Sequence, residues 1–249
     1  MGRQKSRRII GAKAALAGVL VSFACGSTTP AGLSADAQLY GGTIQVAPPP
    51  GAATLPLAKI DEIKQVAGVK TAFATYRFDA KTGQVQRAGV ALTESIVAAD
   101  PTEAAWSRLK TDYAQGHAID ADSMGEVVLG SAIASELSKK IGDTVQLPLQ
   151  PTGGQTHAFK VVGILDATQS APDRSAYVNI TDGQTLLKDV WAAGQSAGAD
   201  VTTVATAIDV YARPGASMSE LDQIASQINK QVAGVDAIKP SQLVDSLKS

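Results

Sequence analysis

Cysteine is almost missing from this 249-residue chain, where Cys25 stands alone. That excludes a disulfide framework and a cysteine-rich zinc site. Histidine is nearly as scarce: His117 and His157 leave little material for a catalytic zinc centre. Both sit in polar surroundings without a second histidine at ligand spacing, so both read as ordinary surface residues. No glycine-rich loop carries Gly-Lys-Ser or Gly-Lys-Thr, so the chain itself is not expected to bind nucleotide. A mean hydropathy of +0.05 is too low for a chain that crosses a membrane repeatedly. What the sequence does have is 45% apolar residues, enough to bury a core rather than form a disordered tail.

Charge is unevenly placed. Arg3, Lys5, Arg7, Arg8 and Lys13 make a basic head without an acid, and no Lys or Arg follows until Lys59. Beyond residue 13, 17 basic residues face 23 acidic ones, a net of −6. An acidic body argues against nucleic acid as a partner, because phosphate binding needs a basic face. The uncharged run after the head reads three ways. It is short enough for the apolar region of a cleaved signal peptide. Ala24-Cys25-Gly26-Ser27 resembles a lipobox with Cys25 as the acylated residue, although Ser22 stands where an aliphatic residue is usual. Ile9 to Thr28 would also span about 30 Å as a helix, enough for a retained transmembrane segment. Its seven Ile, Leu, Val and Phe residues supply roughly −2 to −4 kcal/mol of insertion free energy, a marginal span. Ser6-Arg7-Arg8 is a weak match to a twin-arginine signal. All readings place the body outside the cytoplasm, because basic flanks stay inside.

The body alternates strands with few helices. Thr43 to Val46 reads as a strand ended by Pro48-Pro49-Pro50. Leu57 to Val66 has helical spacing and stops at Gly68. Val69 to Phe78 is the next strand, with a polar turn at Asp79 to Gly83 and a further strand near Val85 to Leu92. Residues 93–125 look irregular apart from a short helix around Thr102 to Lys110. Glu126 to Leu129, Thr144 to Leu149, Ala158 to Leu165 and Ser175 to Ile180 read as strands. Ser131 is expected to cap a helix over Ala132 to Lys140, and Asp182 to Val190 is helical. Ala193 to Thr203 is expected as a loop. Ala205 to Tyr211 is a strand, Met218 to Val232 an amphipathic helix, and Val235 to Ile238 a last strand. Val66-Ala67-Gly68-Val69 and Val232-Ala233-Gly234-Val235 end the two flanking helices alike, which points to an internal repeat. The expected fold is α+β. A discontinuous β-α-β-containing lobe (39–95 with 200–245) holds an inserted small β-barrel-like lobe (96–199), preceded by an anchor or signal with its linker (1–38).

Chemical motifs are weak. Gly194-Gln195-Ser196-Ala197-Gly198 matches a nucleophile elbow, but the residues before it look helical and no histidine follows Ser196. Asp120-Ala121-Asp122 starts like a calcium loop, yet Met124 and Ser131 occupy later ligand places. No catalytic residue, cofactor site or metal site is therefore expected.

A series of three segments is more informative: Glu126 to Ala134, Lys140-Ile141-Gly142-Asp143-Thr144-Val145, and Phe159 to Leu165. In order and spacing it resembles the MacB-like periplasmic core domain of FtsX/MacB-type ABC transporter permeases. Asp173 to Ile180, Gly41 to Val69 and Ala207 to Val235 resemble the parts that follow and flank it there, so the likeness spans about residues 39–245. The resemblance implies a two-lobed, non-enzymatic extracytoplasmic domain at the cell membrane. It would help export or release a substrate through contacts with partner subunits. Those partners would include an ABC ATPase acting through missing or separate membrane helices, the membrane, and another permease copy. Nothing after Lys239 is apolar enough to span, so a truncated permease and a stand-alone copy of the domain are both expected forms. A surface lipoprotein acting as a ligand-binding module is the alternative.

Overall fold

A computed structural model describes residues 42–80, 94–120, 122–148, 156–194 and 200–246 of the chain. The apolar run Ile9 to Thr28 with Cys25, the strand expected over Val85 to Leu92 and Ser196 lie outside the described residues.

The strands are β1 (Ile44–Ala47), β2 (Leu55–Pro56), β3 (Val69–Ala80), β4 (Glu94–Ala99), β5 (Tyr113–Gly116) and β6 (Glu126–Leu129). They continue with β7 (Thr144–Pro148), β8 (Thr156–Leu165), β9 (Ser175–Val178), β10 (Val204–Ala205), β11 (Ala207–Ala212) and β12 (Asp236–Ile238). The helices are α1 (Lys59–Lys64), α2 (Ser131–Glu136), α3 (Ile180–Gly194), α4 (Met218–Gln231) and α5 (Pro240–Ser246).

Among the described residues, ten strands form one sheet in the order β12-β1-β11-β3-β4-β9-β6-β8-β5, with β7 also on β8. At its start, β1-α1-β3 and β11-α4-β12 interlock: β11 lies between β1 and β3, and β1 between β11 and β12. This is a split β-α-β arrangement, in which each unit supplies the strand that fills the other's gap. The two helix stops behave alike, since Gly68 and Gly234 both take positive φ (92° and 73°). A residue without Cβ reaches that conformation without strain, and the chain reverses into β3 and β12.

The inserted part is not the barrel-like lobe expected from sequence. The twelve-residue β3 pairs with β11 through its first half and with β4 through its second, carrying one sheet across both parts. Beyond β4 the ladder continues through parallel pairs β4–β9 and β6–β8. Its path among the described residues runs open, from β12 to β5. Part of the expected irregular stretch is the strand β4. The helix expected near Thr102 to Lys110 is a 3-10 turn at Pro101–Ala105. Helix α2 starts at Ser131 with Gly130 before it and no side-chain cap, so Ser131 is not the N-cap. It is also shorter than expected; Ser138 takes φ 52°, which interrupts helical geometry.

Strand alternation divides the sheet into two faces. On one, Ile44, Val46, Ile208 and Val210 pack with Ile63 of α1 and Leu221, Ile224 and Ile228 of α4. On the same face, Tyr76, Phe78, Ile96, Leu129 and Val161 pack with Leu186 and Leu187 of α3 and Ile133 of α2. Helix α4 begins in a capping box: the Glu220 amide donates to the Ser217 hydroxyl at 3.2 Å, and the Ser217 amide donates to the Glu220 carboxylate at 2.7 Å. Those bonds, with the Arg213 guanidinium at 2.7 Å, hold the exposed Glu220 carboxyl down at about 2. Ser217→Ala should lower urea-unfolding stability by about 1 kcal/mol, because it strips one partner from the helix start.

Candidate functional site

The opposite sheet face is where polar chemistry collects. The residues alternating with the core positions are Thr43 just ahead of β1 and Gln45 on it, Asp209 and Tyr211 on β11, and Thr75 and Arg77 on β3. They line a groove of about 530 Å³ that also runs past Val97, Val128, Leu165 and Tyr177. One end is therefore polar and the other apolar, with Val128, Val162 and Leu165 forming a small core against Ile119 and Tyr177. Residues 100–112 cross this face as a strap. Asp100 starts its 3-10 turn by accepting from the Thr102 amide at 2.8 Å. Arg108 donates to the Ala216 carbonyl, and Trp106 lies against Tyr211 with ring centroids 6.4 Å apart.

Under the strap lies a buried charge cluster. Asp209 is 3% exposed and Glu103 8%. The Tyr211 hydroxyl donates to Glu103 Oε1 at 2.8 Å. Thr75 Oγ1 donates to Asp209 Oδ2 at 3.1 Å, and the Arg77 guanidinium pairs with the same oxygen. Burial, reinforced by the nearby Asp209 charge, pushes the Glu103 carboxyl up to about 9. Burial and the same two carboxyl groups also push the Tyr211 phenol upward.

The residues weighed from sequence lie elsewhere. His117 is exposed, with its Nδ1 2.7 Å from the Ala118 carbonyl oxygen. His157 is only partly exposed and sits 2.9 Å from Asp189 of α3, so it ties β8 to that helix rather than standing on the surface. Asp182 of α3 accepts from the Gly125 amide at 3.0 Å. Its carboxyl is raised, chiefly by burial. Among the described residues no group of three or more His, Cys, Asp or Glu could hold a metal, and no helix is long and apolar enough to cross a membrane. The cluster of Glu103, Asp209, Arg77 and Tyr211 was not foreseen. Its one local signal is Asp209, a charged residue between Ile208 and Val210 in an otherwise apolar strand.

A sequence model of the MacB-like periplasmic core domain matches residues 9–228. Solved structures that match this chain include the extracellular domain of the noncanonic ABC-type transporter YknZ from Gram-positive bacteria. It is 14% identical over 79% of this chain and 99% of that one, with a TM-score of 0.48. The periplasmic region of MacB from Actinobacillus actinomycetemcomitans is 10% identical, covering 85% of this chain and 96% of that one, with a TM-score of 0.47. A permease-protein domain from Porphyromonas gingivalis is 13% identical, covering 80% and 91%, with a TM-score of 0.44. No curated protein sequence matches this chain.

Proposed function

Because this chain belongs to the MacB-like periplasmic core domain family, we propose that it serves as the extracytoplasmic domain of an ABC transporter permease assembly. In this reading it is non-catalytic, and it contributes to export or release of a substrate through contacts with partner subunits. The observation that carries this is the family match, which spans the first flanking β-α-β unit, the inserted strands, β11 and most of α4. A domain of this kind transmits motion, which needs a stiff scaffold and a tether rather than a reacting group. One sheet running through both parts supplies the stiffness, since β3 pairs with β11 on one side and with β4, which leads into the insert, on the other. We assign the lobes as residues 39–95 with 200–245, and 96–199. The partners are an ABC ATPase, a second permease copy and the membrane. Residues 1–38 supply the anchor or signal, with Cys25 as the acylated residue if the anchor is a lipid.

Alkaline phosphatase fused after residue 246 should be active in intact cells, because that enzyme matures only outside the cytoplasm. The tagged chain should also co-purify from membranes with an ABC ATPase. An inactive fusion would remove the extracytoplasmic reading. Cys25→Ser then separates the anchors: release from the membrane fraction means a lipid, and retention means a helix.

A further inference from the structure

Glu103 is the one buried residue in the strap 100–112; its neighbours there are exposed or half-exposed. An ionisable carboxyl is thus what the strap plants in the sheet. The groups facing it are Asp209 and Tyr211 from β11 and Arg77 from β3; Thr75 bonds to Asp209 and Thr43 to Tyr211. Two carboxyls against one guanidinium leave one negative charge in excess, which a buried site does not tolerate. Two oxygens in the cluster, Glu103 Oε2 and Asp209 Oδ1, are buried and have no partner when both carboxyls are ionised. The two side chains lie within hydrogen-bonding reach of each other. One added proton on Glu103 Oε2, donated to Asp209 Oδ1, pairs both oxygens and balances the charge. The chain of bonds then runs from Tyr211 to Glu103 to Asp209, with Thr75 and Arg77 closing it.

We infer that Glu103 and Asp209 share a single proton, and that this proton latches the strap over the groove, so that its loss to solvent frees the strap. An unfolded Glu103 carboxyl ionises near 4.5, far below its folded value. Between those two values the folded state holds the extra proton, so stability falls as pH rises through that window. The strap is the part that gives way, because Glu103 is its only buried residue, while Arg108 and Trp106 hold it from more exposed positions.

The test compares the full-length chain with Glu103→Gln and Asp209→Asn. Between pH 6 and pH 9 the wild-type melting temperature should fall by roughly 5–10 °C. Glutamine imitates the protonated acid, donating to Asp209 and accepting from Tyr211, so most of that fall should vanish. Asp209→Asn removes the excess charge by the other route and should also flatten the profile, which covers the case in which Glu103→Gln does not fold. In a Trp191→Phe background, Trp106 emission should shift to the red as pH approaches 9.5, and should not in Glu103→Gln. Infrared spectra at pH 7 should show a protonated carboxylic-acid stretch that Glu103→Gln abolishes. A wild-type slope that persists in the variants, or an acid stretch unchanged by Glu103→Gln, overturns the inference.

Discussion

Gly130→Ala should destabilise the chain by about 3 kcal/mol or more, lowering its melting temperature by roughly 6–12 °C. Gly130 has φ −63° and ψ 151°, so its backbone conformation is open to any residue. The obstacle is space. A Cβ there would lie 2.2 Å from the Pro172 carbonyl oxygen and 2.5 Å from the carbonyl carbon of Asp173. These are backbone atoms at the entry to β9, and the Gly130 amide itself donates to the Ser175 carbonyl at 2.9 Å. Relief requires moving β9 away from β6, which breaks the link between the parallel halves of the sheet. Gly215→Ala is the contrast: nothing lies within 4 Å of its Cβ, and only its φ of 77° resists the change. It should cost about 1 kcal/mol. Calorimetry that finds the two substitutions equal would discount the close approach at Gly130.

Tyr76→Ala should cost about 3–5 kcal/mol, with a further shift toward unfolding in any assay of α3 packing. Tyr76 is fully buried on β3, where the sheet passes from the flanking units into the inserted strands. Its ring fills the core beneath α3, and its hydroxyl donates to the Val204 carbonyl at 2.8 Å while accepting from Gln184 at 3.2 Å. One side chain therefore joins β3, β10 and α3. Burial also raises its phenol pKa, which favours the neutral hydroxyl that makes both bonds. Tyr76→Phe isolates the hydroxyl: it should cost about 1–2 kcal/mol, the penalty for leaving the Val204 carbonyl unpaired. Chemical denaturation of the pair measures ring and hydroxyl separately. Equal losses would mean that the ring contributes little.

Much of the local structure was legible from residue order. The amphipathic spacing over Met218 to Val232 announces α4, and the two Val-Ala-Gly-Val stops mark where the flanking helices turn back. Glu126 to Leu129 is a strand as expected, since a short apolar run ahead of a glycine leaves few other conformations. The segment series led to the family that the sequence match shows. Less legible was Glu94–Ala99, because it is held between two partners, β3 ending at Ala80 and β9 beginning at Ser175, and the parallel pairing with β9 leaves no local signal. The same distance effect turned the expected barrel-like insert into a continuation of one open sheet. Whether a strand closes a barrel or extends a ladder depends on which edges meet, and β3 was long enough to serve two neighbours.

Residue order by itself determined most of the elements, the glycine stops at Gly68 and Gly234 and the acidic character of the body, because alternation, helix stops and charge act over a few positions. Only the folded chain decided the chemistry of Glu103. In sequence it is one acid in a polar stretch; in space it is the buried foot of a strap, bonded to Tyr211, 108 positions away. Burial and a second carboxyl raise its pKa, and both are properties of where strands β3 and β11 place their side chains.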